Sequence, residues 1–327
     1  MSVELELTLR ERESRPSVLD LLDTAVSRAP YNLDSLRRDL KDGARPLLLR
    51  SEARAGFSRG HLLDVVLYSP LFLDLDEDSS TSLAETFVAR LLGDRLLESW
   101  IGRVTAVGTP ARSSLRVLNS NDGEHETFPI ADLAKTVSAA IRGLYAGLPE
   151  PCWHQPASEK WTMFELSPET AEDYGAQDDL VLATTTRPEM LKCFLQGGRF
   201  SSERFSRHGE LFCYIKYKSR VRSHGKRLAE RSGLEDCLSA ELGAHQLGAV
   251  VGNGFGLKYS YIDLALTSAA QALSRVRELC ARASLGSESW LLFCDSELER
   301  EWLPLGRAKR APHGLPAPST RSKSSAS

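Results

Sequence analysis

The chain has no C-x-x-C pair: its six cysteines, Cys152, Cys193, Cys213, Cys237, Cys280 and Cys294, are scattered along 327 residues. That scatter argues against a zinc knuckle and a disulfide framework, so reduced and mostly buried thiols are expected. Long apolar runs are missing too. The richest, Leu62 to Leu75, is broken by Asp64, Ser69, Pro70 and Asp74, and nothing approaches the ~20 apolar residues that cross a bilayer. The opening MSVELELTLRERES carries acids early and lacks a basic start followed by an apolar stretch, which points away from a secretory leader. A cytoplasmic protein with no membrane partner is expected. Strong catalytic motifs are absent as well, and no cofactor is implied.

What is present is ordinary globular composition, 42% hydrophobic and 26% charged. The length exceeds one comfortable core, so two domains are the natural expectation. Charge is uneven. Residues 305–327 hold Arg307, Lys309, Arg310, Arg321 and Lys323 and no acid, so the formal −3 divides into +5 there and −8 elsewhere. Rich in Ser, Pro and Ala, this tail cannot bury enough surface to offset its ordering entropy and is expected to be disordered.

The clearest pattern lies between Gly209 and Asp295. GELFCYIKYKS alternates with period two and reads as a strand, and Lys226 to Ala244 reads as a helix. LGAVVGNG and KYSYIDLALT are strands. TSAAQALSRVRELCARA repeats apolar residues at helical spacing, with Thr267 or Ser268 as its cap, and SWLLFCDS closes the set as a strand. This order is that of a ferredoxin-like (βαββαβ) unit with its first and third strands adjacent. A weaker copy precedes it: PLFLDLD, LAETFVARLLGD, WIGRVTAVG, SLRVLNS, IADLAKTVSAAIRGLYAG and WTMFELS. The expected fold is α+β, with two ferredoxin-like units in tandem and antiparallel sheets with helices on one face. Its segments are a helical lead-in over 1–50 (helices at Ser17 to Ser27 and Leu33 to Leu40), an N-terminal domain over 51–166, a connector over 167–208 with a helix at Arg187 to Gln196, a C-terminal domain over 209–304 and the tail.

Strand alternation assigns faces. Leu211, Cys213, Ile215 and Tyr217 share one side with Ile262, Leu264 and Leu266, and belong under the helices. Phe212, Tyr214 and Lys216 take the other with Tyr259, Tyr261 and Asp263. Two readings of this helix-free face follow. Contiguous apolar patches mark interfaces, so a second domain or subunit would cover it, the N-terminal copy being the obvious one. Left open, it is the surface on which RNA-recognition modules stack bases. YSYIDL, residues 259–264, resembles the aromatic core of their third-strand motif, although Leu257 and Lys258 replace its basic residue and glycine and Leu264 its final aromatic. The resemblance covers about six residues. Just upstream, residues 199–227 hold nine Lys or Arg against Glu203 and Glu210, Arg204 and Arg207 among them, interleaved with aromatics. That composition suits a phosphate backbone, a solvated face or an acidic protein.

Weaker features are set against blander readings. Asp74, Asp76, Asp78 and Glu85 have calcium-loop spacing, but Ser79 stands where the loop needs glycine and a strand precedes it, so an acidic turn feeding a helix capped by Ser80 or Ser82 is expected. Gly252-Asn253-Gly254-Phe255-Gly256 links strands without opening a helix, which favours a hairpin over a phosphate loop. Nucleophile candidates are Cys152 with His154, and Ser201 or Ser202 near His208; neither pair has an assignable third group. Glu203, Arg204, His208 and Asp263 are the candidates for a dispersed enzyme site. The expectation is a non-catalytic binding or regulatory protein, for example of neutralising or immunity type, acting through a protein partner. Single-stranded nucleic-acid binding and a dispersed-site enzyme are the alternatives.

Overall fold

A computed structural model describes residues 3–108, 127–154, 160–170, 173–221, 223–307 and 310–315. The chain forms two compact units, one of residues 16–148 and the other of residues 1–15 with 149–327. In chain order, α1 (Val3–Glu13) belongs to the discontinuous unit. The continuous unit holds α2 (Val18–Asp39), α3 (Arg45–Leu49), β1 (Glu52–Phe57), β2 (Leu63–Tyr68), α4 (Glu77–Leu92), α5 (Asp94–Trp100), β3 (Ile101–Val107), β4 (Phe128–Pro129) and α6 (Leu133–Ala146). The discontinuous unit then resumes with β5 (Thr162–Glu165), β6 (Leu180–Thr185), α7 (Pro188–Leu195), β7 (Leu211–Tyr217), α8 (His224–Ala244), β8 (Gly248–Gly256), β9 (Ser260–Leu266), α9 (Ala269–Arg282), β10 (Ser289–Phe293) and β11 (Trp302–Pro304). No helix among the described residues is long and apolar enough to cross a membrane.

The continuous unit is a four-stranded sheet of order β3-β2-β1-β4 whose core takes Leu22 of α2, Val88 of α4 and Ile141 of α6. Here the expectation of an antiparallel sheet needs correction. β2 and β3 pair in parallel, because the helical crossover through α4 and α5 carries the chain back to the end where β2 began. The strand expected at Pro70 to Asp76 is a single 3-10 turn, Pro70–Phe72, started by the Ser69 hydroxyl accepting from the Leu71 amide at 3.2 Å. The strand lies upstream, where Leu63, Val65 and Leu67 alternate inward. SLRVLNS falls outside the described residues. The two helices expected at 17–27 and 33–40 are one, α2, running through Pro30 from a capping box in which the Ser17 hydroxyl accepts from the Asp20 amide and the Asp20 carboxylate from the Ser17 amide. In α4 the cap is Asp76, ahead of the expected Ser80 and Ser82; its carboxylate accepts from the Ser79 amide at 2.8 Å.

The discontinuous unit is a seven-stranded sheet of order β11-β10-β7-β9-β8-β6-β5 with every neighbouring pair antiparallel. β7 and β9 are adjacent at its middle, with Cys213 opposite Leu264 and Ile215 opposite Ile262. Their aliphatic side packs under Leu238 and Leu242 of α8 and Leu273 and Val276 of α9, joined by Leu5 and Leu9 of α1. Helices are not confined to that side, for Met190 and Leu191 of α7 pack on the other. WTMFELS does form a strand, β5, but it pairs with β6 in this unit and closes no N-terminal copy. Ser268 begins α9 with a left-handed backbone (φ 46°) and no side-chain cap bond, while Thr267 turns its hydroxyl to the Gln246 carbonyl at 2.9 Å.

The Gly252–Gly256 run is not a hairpin loop: it lies inside β8. A Cβ on Gly252 would stand 2.5 Å from Asp263 Oδ2, and one on Gly256 would stand 2.3 Å from the Asp179 carboxylate. These glycines make room for two buried acids, the close-approach use of glycine within a strand. The first part of the expected disordered tail is also packed. The Trp290 indole donates to the Arg310 carbonyl at 2.7 Å, and Ala311 and Leu315 lie against the sheet; residues 316–327 lie outside the described residues.

Candidate binding cleft

Phe212, Tyr214, Tyr259 and Tyr261 do share one face of the sheet, with the rings of Tyr214 and Tyr261 6.3 Å apart. All four are buried. Among the described residues their cover comes from the same unit: Cys152, Met190 and Leu191 of α7, Phe200, Phe205, Trp290 and Trp302 complete a second core. Base stacking on this face, as in RNA-recognition modules, has no open surface to use. The signal for the cover was in the sequence, in the apolar Met190, Leu191 and Phe194 and the ring pair Phe200 and Phe205, 5.2 Å apart and stacked, just ahead of β7.

The basic segment is largely spent on internal bonds. Arg204 is fully buried and donates to the Arg199 carbonyl. Arg207 pairs with Glu150, Lys218 with Glu288 at 2.7 Å, and Arg220 and Arg227 reach the carbonyls of Leu285 and Tyr259 at 3.2 and 3.3 Å. Ser202 is structural. Its hydroxyl donates to Asp295 and accepts from the Phe212 amide at 3.0 Å, while Asp295 also pairs with Arg12 at 3.1 Å. His208 lies 3.7 Å from Glu150. The Cys152 thiol faces the Ala265 carbonyl at 3.5 Å, and burial first, then Glu210, pushes it well above the usual thiol range, so the thiolate is disfavoured. Asp74, Asp78 and Glu85 form no metal cluster with Asp76: among the described residues no group of three or more His, Cys, Asp or Glu could hold an ion.

Lys216 and Asp263, placed by alternation on the aromatic face, hold down a strap of chain, residues 173–179. The buried Lys216 ammonium donates to the carbonyls of Tyr174, Gly175 and Ala176 at 2.8, 3.2 and 2.7 Å, and sits 4.5 Å from the centre of the Tyr259 ring. Burial depresses its pKa from the usual lysine range to about 8. Asp263 accepts from Gln177 Nε2 at 2.8 Å, and burial raises its carboxyl to about 6 despite that bond. Asp179 ends the strap, accepting from the amides of Lys258 and Tyr259 at 2.7 and 2.9 Å and from the Tyr261 hydroxyl. Asp179 and Gln177 carry no sequence motif, so nothing local could have marked them.

Between this strap, the end of α7 and residues 313–315 opens a cleft of about 860 Å³. Tyr214, Leu292 and Cys294 form its floor. Its walls carry Tyr174, Phe194 and Phe200 and the carboxylates of Glu169, Asp173, Asp178 and Glu299. Gly197 and Gly198, in left-handed conformations at φ 71° and 107°, end α7 and bound one side. The cleft thus offers an aromatic, partly apolar floor beneath an acidic rim, a combination suited to holding an organic ligand. No family model, curated protein or solved structure matches the chain.

Proposed function

We propose that the chain is a non-catalytic binding protein whose ligand seats in the cleft above β7 and β10. One observation carries this reading: the chain's own residues cover most of the aromatic face, and the cleft left beside them reaches it at Tyr214 with a volume in the range of small-ligand sites. Chemistry through the nucleophile candidates is disfavoured, since Cys152 and Ser202 are engaged elsewhere and neither lines the cleft. A ferredoxin-like reading of residues 209–295 goes with it, supported by the order β10-β7-β9-β8 with α8 and α9 as the two crossovers. The test is a thermal-shift panel of amino acids, amines, nucleotides, sugars and carboxylates against the full chain and Ser167→Trp, an exposed rim position where indole would obstruct the cleft. At least one class should raise the melting temperature of the wild type alone and be recovered unchanged by mass spectrometry. Turnover of that compound would favour an enzyme, and a panel with no shift would remove the cleft as a site.

A protein partner is the second reading, favoured by β5. It ends the seven-stranded sheet with no further strand among the described residues, and Trp161 just ahead of it and Met163 within it are about half exposed or more, at 49% and 62%. An open edge of this kind accepts an added strand. Capture from source cells should return one stoichiometric protein with the wild-type chain and lose it with Met163→Asp; equal recovery by both would remove this edge as the interface.

A further inference from the structure

We infer that the cleft takes an organic cation, a protonated amine carried on an aromatic or aliphatic body; this rests on the cleft being a ligand site. The first support is charge. Among the described residues four carboxylates line it and no lysine or arginine does, the one basic side chain being His313. Asp173 is only loosely matched, with Lys258 Nζ at 3.6 Å and His313 Nε2 at 3.9 Å, so the rim keeps a negative potential.

The second support is independent of the acids. Tyr214 lies on the cleft floor and brings a hydroxyl that can accept as well as donate. Gln177, 4% exposed and also lining the cleft, donates its amide N–H to Asp263 but leaves Oε1 without a partner. Orphaned buried acceptors are costly. The Gln177 oxygen would be satisfied by a donor-rich group, and an ammonium brings three N–H donors and no acceptor. The aromatic rings of Tyr174, Phe194 and Tyr214 add the face on which a desolvated cation is attracted. A bare metal ion fits poorly, because the carboxylates are spread along the walls and no three metal-binding side chains converge among the described residues.

The probe is 2-phenylethylammonium, set against phenylacetate, which has the same ring and the opposite charge. Calorimetric titration of the full chain should detect the amine and not the carboxylate, with affinity falling as salt rises. Asp178→Asn and Tyr214→Phe, each first shown to keep the wild-type melting temperature within a few degrees, should weaken the amine by roughly tenfold, equivalent to about 1.4 kcal/mol, and Ser167→Trp should abolish it. Equal binding of amine and carboxylate, or amine binding indifferent to all three substitutions, overturns the inference. If another class from the panel binds in a Ser167→Trp-sensitive way while the amine does not, the cation is lost and the cleft stands; if nothing binds, both fall.

Discussion

Lys216 is a buried ammonium held by three carbonyls, and two opposing magnitudes decide what it does. Its pKa, lowered from 10.5 to about 8, corresponds to roughly 3 kcal/mol against the charged form. Removing it would leave three carbonyls, that of Tyr174 buried and those of Gly175 and Ala176 nearer solvent, short of a donor, at up to roughly 1–3 kcal/mol each before relaxation or entering water. The terms largely offset, so Lys216→Met is expected to change global stability modestly while loosening the strap, whose Ala176 is held at an unfavourable φ of 23°. Hydrogen exchange should report it: amides 174–179 accelerate and β7 and β9 do not. Asp263 gives a pH signature. Its folded pKa is raised from 3.8 to about 6, so the group contributes stability below about pH 4 that is lost as pH climbs through 6. Asp263→Asn, which keeps an acceptor for Gln177, should remove up to about 3 kcal/mol of that pH dependence, read as the wild-type-minus-variant difference in urea unfolding at pH 4 and pH 7. A difference that does not change with pH would show that Asp263 titrates normally. Strand alternation was enough to put both residues on the aromatic face. What it could not supply was the strap they hold, because pairing with Tyr174–Asp179 spans about forty to eighty residues and leaves no local mark.

At the scale of elements, the legible parts were those with a strong period. β7, β9 and β10 and the amphipathic α9 stand close to where alternation and helical spacing predict them. LVLATT, the sequence of β6, has no clean alternation, and β11 spans Trp302–Pro304 alone, so neither could be read. The N-terminal copy failed because element order does not determine pairing: one crossover through α4 and α5 suffices to make β2 and β3 parallel. Glycines misled for a related reason, since a turn and a close approach use the same residue. Gly256→Ala separates the two uses. In a hairpin loop it would be nearly neutral, whereas inside β8 its methyl meets the Asp179 carboxylate, and a loss of roughly 1–3 kcal/mol is expected by chemical denaturation. At the start of α2, Ser17→Ala removes the hydroxyl arm of the capping box and leaves the Ser17 amide to the Asp20 carboxylate; it should cost about 1 kcal/mol, observed as a lower melting temperature for the continuous unit.

The whole molecule comprises two units with separate cores. Separate cores imply separate transitions. A fragment of residues 16–148 is expected to melt cooperatively by itself; a broad, non-cooperative melt would mean that it depends on the rest of the chain. Deleting residues 1–15 tests the other unit. Leu5 and Leu9 are 1% and 0% exposed in its core, and losing two such side chains costs about 3–6 kcal/mol on the burial scale, with the Arg12–Asp295 pair lost as well. That deletion should lower the transition of the discontinuous unit and leave the other unchanged. The placement of α1 also bears on how the protein is made. As the chain leaves the ribosome, α1 emerges before all of residues 16–148, yet its seat against α9 exists only after β7, α8 and β9 have followed. The continuous unit can fold while synthesis proceeds. The first helix must wait, its apolar face open to chaperones or to misplaced contacts, until nearly the last of the chain arrives.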